Sequence, residues 1–237
     1  MITNKLIFDT LLSDIHDQKI RRVLIGINWT LVETAKGCGL AHTPRGDEQG
    51  CQPITMAGNI STLSIAEAAE WIRSDNPIEV AIGMAAVNAS YNLYGFEASK
   101  KNGLDAFTDL EGPVTVIGRF PGLAKRIKNL QIIEKNPRKG EYGEEDAKKL
   151  LPQSAGVIIT SSAFLNGTAG HLIELAKNTR ICMVGPTTPF APKLFELGIE
   201  FLAGTIVTDV DKMAVAVAEG GAVKAIKPFG SFQTLSR

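Results

Sequence analysis

The second half of the chain repeats one unit five times: a short apolar run, a turn rich in glycine, proline and hydroxyl residues, then a helical stretch. The runs are Val114-Thr115-Val116-Ile117, Leu130-Gln131-Ile132-Ile133, Gly156-Val157-Ile158-Ile159, Ile181-Cys182-Met183-Val184 and Ile199-Glu200-Phe201-Leu202. Helices are predicted between and after them, over 121–129, 144–151, 168–178, 190–197 and 209–219. Most of these runs lack a polar face, so such strands are buried on both sides, and helices in alternation supply the cover. The pattern predicts an α/β fold: a Rossmann-like parallel sheet of about five strands, occupying residues 109–237.

The first half follows a different rhythm and reads as a smaller α+β domain over residues 1–108. Ile7, Leu11 and Ile15 fall at four-residue steps, with Phe8 and Leu12 widening the same face, which predicts an amphipathic helix. A hairpin is expected from Val23–Ile27 to Thr30–Thr34 with Asn28-Trp29 at its turn, and a short strand around Gly39–His42. Ser64 and Glu67 form a capping box that opens a helix to about Arg73, and Pro77 opens another through Ala89. The small residues of that second helix predict close packing. Residues 92–112 are polar and punctuated by glycine, and the boundary between the halves falls there.

Composition then removes whole classes of function. Lys+Arg and Asp+Glu both total 25, so the net charge is zero, unlike a general nucleic-acid binder. No apolar run approaches the roughly 18 residues needed to cross a membrane. Asp9 and Asp14 interrupt the start of the chain, which does not read as a signal peptide. Three cysteines with no CxxC pair point to a reduced, cytoplasmic protein. A homodimer is a further expectation, from the hairpin and helices that the small first domain presents.

In an open α/β sheet, ligands bind at the carboxyl ends of the strands, near the reversal of strand order. Three of those ends carry suggestive loops: Gly118-Arg119-Phe120-Pro121-Gly122, then Thr160-Ser161-Ser162 with Asn166-Gly167-Thr168, and Gly185-Pro186-Thr187-Thr188-Pro189. Glycine permits close backbone approach, hydroxyls donate, and helix N-termini attract anions. Arg119 is expected to project into the cleft mouth and pair with a carboxylate or phosphate. The plainer reading makes Thr168 and Thr188 helix caps and the glycines turn formers. Gly118 to Gly122 is GxxxG rather than GxGxxG, so no standard NAD or FAD fingerprint is present. Glu134 ends the second strand, where a ribose-binding carboxylate would sit. Transfer chemistry from S-adenosylmethionine is therefore one alternative. Cys38, His42 and Cys51 share one glycine-rich stretch and are candidate ligands for a heavy or transition metal, although Cys-x3-His-x8-Cys fits no closed zinc pattern. Asn88, an amide within Ala85-Ala86-Val87-Asn88-Ala89, is either a ligand contact or a hydrogen-bonded buried group.

Taken together, several segments resemble a family of uncharacterised bacterial and archaeal proteins labelled "putative heavy-metal chelation". They are Gly26-Ile27-Asn28-Trp29-Thr30, Gly39-Leu40-Ala41, Gly83 to Ala89, Gly118-Arg119-Phe120-Pro121, Asn166-Gly167-Thr168 and Gly185 to Pro189. The resemblance covers nearly the whole chain. It implies a first domain like the small capping domain of enolase, joined to a Rossmann-like domain, with the active site in the cleft between them. The third strand of the family often ends Thr-Gly-Ser or Thr-Gly-Thr, where this chain has Thr160-Ser161-Ser162.

The expected function is handling of a small polar, anionic ligand or metal chelate in that cleft, with Asn28, His42 and Asn88 facing the strand-end loops. A non-catalytic metal or metabolite binding protein is the alternative from another class. A histidine or carboxylate of shifted pKa in the cleft would favour catalysis over binding.

Overall fold

The computed structural model describes residues 1–44, 53–100 and 103–237. Three antiparallel strands, β1 (Ile20–Ile25), β2 (Trp29–Thr34) and β3 (Cys38–His42), make a first sheet in that order. Helices α1 (Asn4–Leu12), α2 (Ile65–Ala69) and α3 (Pro77–Tyr91) accompany it. A second, six-stranded sheet is built from β4 (Val114–Ile117), β5 (Leu130–Ile133), β6 (Gly156–Thr160), β7 (Arg180–Val184), β8 (Phe201–Val207) and β9 (Gly230–Ser236). Helices α4 (Ala147–Leu150), α5 (Ala169–Leu175), α6 (Val210–Ala218) and α7 (Val223–Ile226) fill its connections.

The spatial order is β5-β4-β6-β7-β8-β9, with the first five strands parallel and β9 antiparallel to β8. Numbered within the sheet this is 2-1-3-4-5 plus an edge strand, the second common doubly wound order. The direction of winding reverses between β4 and β6. That places the crevice expected of such a sheet at Gly118, Thr160 and Ser161, the residues that follow or end those strands.

Some local expectations shift. The helix expected over 121–129 is only a 3₁₀ turn, Leu123–Lys125, because Pro121 precedes Gly122 and Gly122 sits in the left-handed region at φ +84°. The helix expected over 190–197 is likewise a 3₁₀ segment, Pro192–Leu197, and Pro189 and Pro192 have no N–H to donate. The fifth parallel strand runs over Phe201–Val207, later and longer than the apolar run implied. β9 was not anticipated. Its sequence, GSFQTLS, alternates weakly, and its register against β8 supplies the missing order.

The first sheet is pressed between helices. All six residues of β2 are buried, since Val32 joins the cluster containing α3 while Trp29 and Leu31 pack with Met213 and Val217 of α6. α3 is buried continuously from Glu79 to Ala89, and its alanines let β3 approach closely. A Cβ at Gly39 would lie 2.0 Å from the Ala85 carbonyl oxygen and 2.7 Å from Asn88 Cβ, so only glycine fits that crossing. One hydrophobic cluster, running from Ile7 through Met84 to Phe190 and Ile206, spans both sheets.

Candidate functional site

The turn Gly185–Thr188 stands where the two sheets meet. It leaves the end of β7 and closes on itself through Thr188 N–H donating to the Gly185 carbonyl at 3.0 Å. On one side Gly185, at φ +134°, lies so near β6 that a Cβ there would sit 2.5 Å from Ser161 Oγ. Gly118, at φ +98°, does the same against Thr160, whose Cβ and Cγ2 would be 3.3 Å from an added Cβ. Thr160 and Ser162 hydroxyls are 3.0 Å apart. Two positive-φ glycines therefore let the ends of β4, β6 and β7 come close together, with hydroxyls and bare backbone along them.

The other side of the turn meets the first sheet. His42 N–H, at the end of β3, donates to Thr187 Oγ1 at 3.0 Å. The His42 ring stands edge-on to Trp29, with centroids 5.9 Å apart. Asn92, just past the end of α3, is the clamp. Its Nδ2 donates to the carbonyls of Thr188 (3.1 Å) and Thr205 (3.2 Å), and its Oδ1 accepts from Phe190 N–H (2.9 Å). Sequence reasoning missed this residue because it fell in the polar stretch assigned to the boundary. An amide one turn after Asn88 on the same helix face was the available signal.

One turn back, Asn88 is completely buried. Its Nδ2 donates to the Leu40 carbonyl at 2.6 Å, but its Oδ1 has no hydrogen-bond partner among the described residues. Thr188 is also completely buried, and its Oγ1 is likewise unbonded. An unsatisfied buried polar atom costs about 1–3 kcal/mol. The Trp29 indole N–H and Thr205 Oγ1 are further unbonded atoms, on the side covered by α6, and Gln18 Oε1 lies apart near Ser64.

The charged and capping motifs behave differently from expectation. Arg119 is not free to meet an anion: Nε and Nη2 grip Glu141 at 2.9 and 2.6 Å, Nη2 also donates to the Asn136 carbonyl at 2.6 Å, and Nη1 lies 3.9 Å from Glu134. The segment after β5 folds back over the strand end and brings its own carboxylate. The Arg119 guanidinium, with the Arg138 N–H, holds the Glu141 carboxyl down at about 2. Glu134 is thereby drawn into the same ion-pair group, not left open for a ribose. Phe120 packs into the cluster under β4, and Pro121 is exposed.

Asn166-Gly167-Thr168 is closed by the chain as well. Asn166 Oδ1 accepts from Thr168 N–H at 3.2 Å and from its hydroxyl at 2.7 Å, and Asn4 Oδ1 accepts from Gly170 N–H at 3.0 Å. Asn4 Nδ2 donates to the Gly167 carbonyl. The Thr168 N–H also donates to the Ala163 carbonyl at 3.1 Å, so it is bonded within its own loop, and α1 takes the Gly170 N–H. Asn28 also has a structural partner, donating to the Gly220 carbonyl at 2.7 Å behind α6.

The metal reading of Cys38 and His42 is corrected by strand geometry. They are four residues apart on β3, about 13 Å at the rise of an extended strand, too far to share one ion. Burial, with Glu33 nearby, raises the Cys38 thiol pKa well above its ordinary value, so the thiolate is disfavoured. Cys51 lies outside the described residues. Among the described residues no three His, Cys, Asp or Glu side chains gather to hold a metal ion. Carboxylates with displaced pKa, such as Glu141, Glu174 and Asp209, are all lowered by the cations and amides that hold them, the direction of structural groups and not of proton donors.

Comparison with known proteins adds relatives of the whole architecture. Two family models, both described as "Putative heavy-metal chelation", match residues 104–236 and 8–91. The first carries the family designation DUF364 and the second DUF4213. An uncharacterized protein of Methanocaldococcus jannaschii is 28% identical over 148 residues, and the match spans 57% of each chain. A crystal structure of a DUF364 protein of unknown function from Desulfitobacterium hafniense superposes with a TM-score of 0.85 at 29% identity, covering 98% of both chains. A second, from Pyrococcus horikoshii, does so at 0.83 and 23% identity, again over 98% of both, and shows the shared fold.

Proposed function

Because the chain belongs to the DUF364 family, described as "Putative heavy-metal chelation", we propose that it binds a small polar metal chelate at the strand-end crevice bordered by the Gly185–Thr188 turn. The metal enters as cargo within its own chelator. The donor set supports this division, since the described side chains make no cage while the crevice offers hydroxyls, amides and backbone.

The observation that carries the reading is two fully buried, unbonded polar atoms, Asn88 Oδ1 on α3 and Thr188 Oγ1 in the turn that borders the crevice. A ligand group that donates to the amide oxygen and bonds the hydroxyl removes both penalties at once. Such a pair of unsatisfied groups also favours the correct ligand over an isostere that cannot bond them. Gly118 and Gly185 keep the approach open, because any side chain at either position would press on Thr160 or Ser161.

Native mass spectrometry of gently purified protein, paired with elemental analysis, tests this. The expected result is a small-molecule adduct and metal in matching amounts, both lost together in Asn88→Ala and Thr188→Val. Metal retained without any organic adduct, and unchanged in both variants, would overturn it.

A further inference from the structure

The geometry points to a second ligand site, beside β9, that takes a small organic anion with a flat apolar body. The inference does not rest on the chelate site. β8 and β9 pair with Ala203 opposite Thr234 and Thr205 opposite Phe232, so these four side chains share one face of the sheet. Over that face lies a cleft of about 360 Å³ between Leu104 on one side and Val223 and Lys227 on the other. The volume is at the small end of ligand pockets.

Its chemistry is divided between floor and rim. Val184, Ala203 and Phe232 give an apolar floor, and Phe232 is 40% exposed although it sits on a strand. The polar groups of the floor are already used: Thr234 Oγ1 accepts from Gly103 N–H at 2.9 Å, and Gln233 Oε1 accepts from Ala98 N–H at 2.7 Å. At the rim stand Lys100 and Lys227, and among the described residues no carboxylate lines the cleft. Among the described residues neither lysine has an ion-pair partner, although twelve ion pairs occupy charges elsewhere.

Two flexible cations over an apolar floor select for charge and apolar area together. Inorganic phosphate would satisfy the lysines but leave Phe232 and Val184 in contact with water. A neutral aromatic would cover the floor and leave the lysines unused. A planar aryl carboxylate matches both, with its ring on Phe232 and its carboxylate between the ammonium groups.

Titration of the intact protein with 2-naphthoate and with its neutral isostere 2-naphthamide, followed by calorimetry at low salt, tests the assignment. The acid is expected to bind at least tenfold more tightly than the amide. Lys100→Ala combined with Lys227→Ala should erase that preference, Phe232→Ser should weaken both ligands, and Asn88→Ala should leave both unchanged. Equal binding of acid and amide, absence of saturable binding, or a preference that survives loss of both lysines would overturn the site. Sensitivity to Asn88→Ala would do so too, by placing the ligand at the chelate crevice.

Discussion

The strand ends of the large sheet divide into two regions built from similar-looking loops. After β4 and β5, and at the start of α5, the groups that could have met an anion are answered by the chain: Arg119 by Glu141, Thr168 by Asn166, Gly170 by Asn4. After β7, the Gly185–Thr188 turn is held by backbone and amide contacts but leaves Thr188 Oγ1 unbonded inside the protein, as Asn88 Oδ1 is on α3. A long cation finds a partner within its own chain easily, since a carboxylate on any neighbouring loop will serve. A short hydroxyl or amide in the interior has no such reach. The unfilled bonding capacity therefore sits with the neutral residues, and function is better sought there than at the arginine.

The largest expected effect comes from removing the clamp that sets this contrast. Asn92→Ala orphans the Phe190 N–H and the Thr188 and Thr205 carbonyls together, and should destabilise the fold by about 3 kcal/mol. For a chain of this size that lowers the melting temperature by roughly 6–12 °C, and a thermal scan checks it. A shift near zero would mean the turn is held by other contacts.

Thr188→Val sharpens the comparison in the opposite sense. It replaces an unbonded buried hydroxyl with a methyl of the same shape, so stability should stay level or rise by up to about 1 kcal/mol. Retention of the chelate should nevertheless fall about tenfold, equivalent to about 1.4 kcal/mol. A variant both less stable and unchanged in retention would make Thr188 purely structural.

Arg119→Ala should have a smaller, local outcome. Hydrogen exchange is expected to quicken around Arg138 and Tyr142, where the segment after β5 is fastened, while chelate retention stays as in the wild type. Loss of retention would return the anion role to Arg119.

The smallest effect concerns acid. The Glu141 carboxyl sits at about 2 in the folded chain, below its ordinary 4.5. Its contribution is therefore complete above the unfolded value and is lost as pH falls through the folded one. Between about pH 4.5 and 2, Glu141→Gln should show a flatter decline in stability than wild type. Parallel curves in an acid titration of unfolding would show that the ion pair contributes nothing.

The alternation of apolar runs with helices made the parallel sheet legible in the sequence, because strands buried on both faces leave an uninterrupted signature. β9 escaped because an edge strand is half wet and its pattern is diluted by serine, glutamine and threonine. The strand-end residues Gly118, Thr160, Ser161 and Gly185 were legible as a group, since position at a strand terminus is fixed by the fold. Their partners were not. That Glu141 would fold back on Arg119, or that Asn4 would cap α5 from 166 residues away, depends on loop paths that no local pattern encodes. Cys38 and His42 misled for a related reason: proximity in sequence on an extended strand is distance in space.

The most direct test is anomalous diffraction from crystals of protein purified without added chelators, collected at the absorption edge of whichever metal it retains. The account predicts a metal peak within organic density at the crevice, with that density bonded to Asn88 Oδ1 and Thr188 Oγ1. A metal bound directly to side chains elsewhere, with Asn88 and Thr188 bridged only by water, would contradict it.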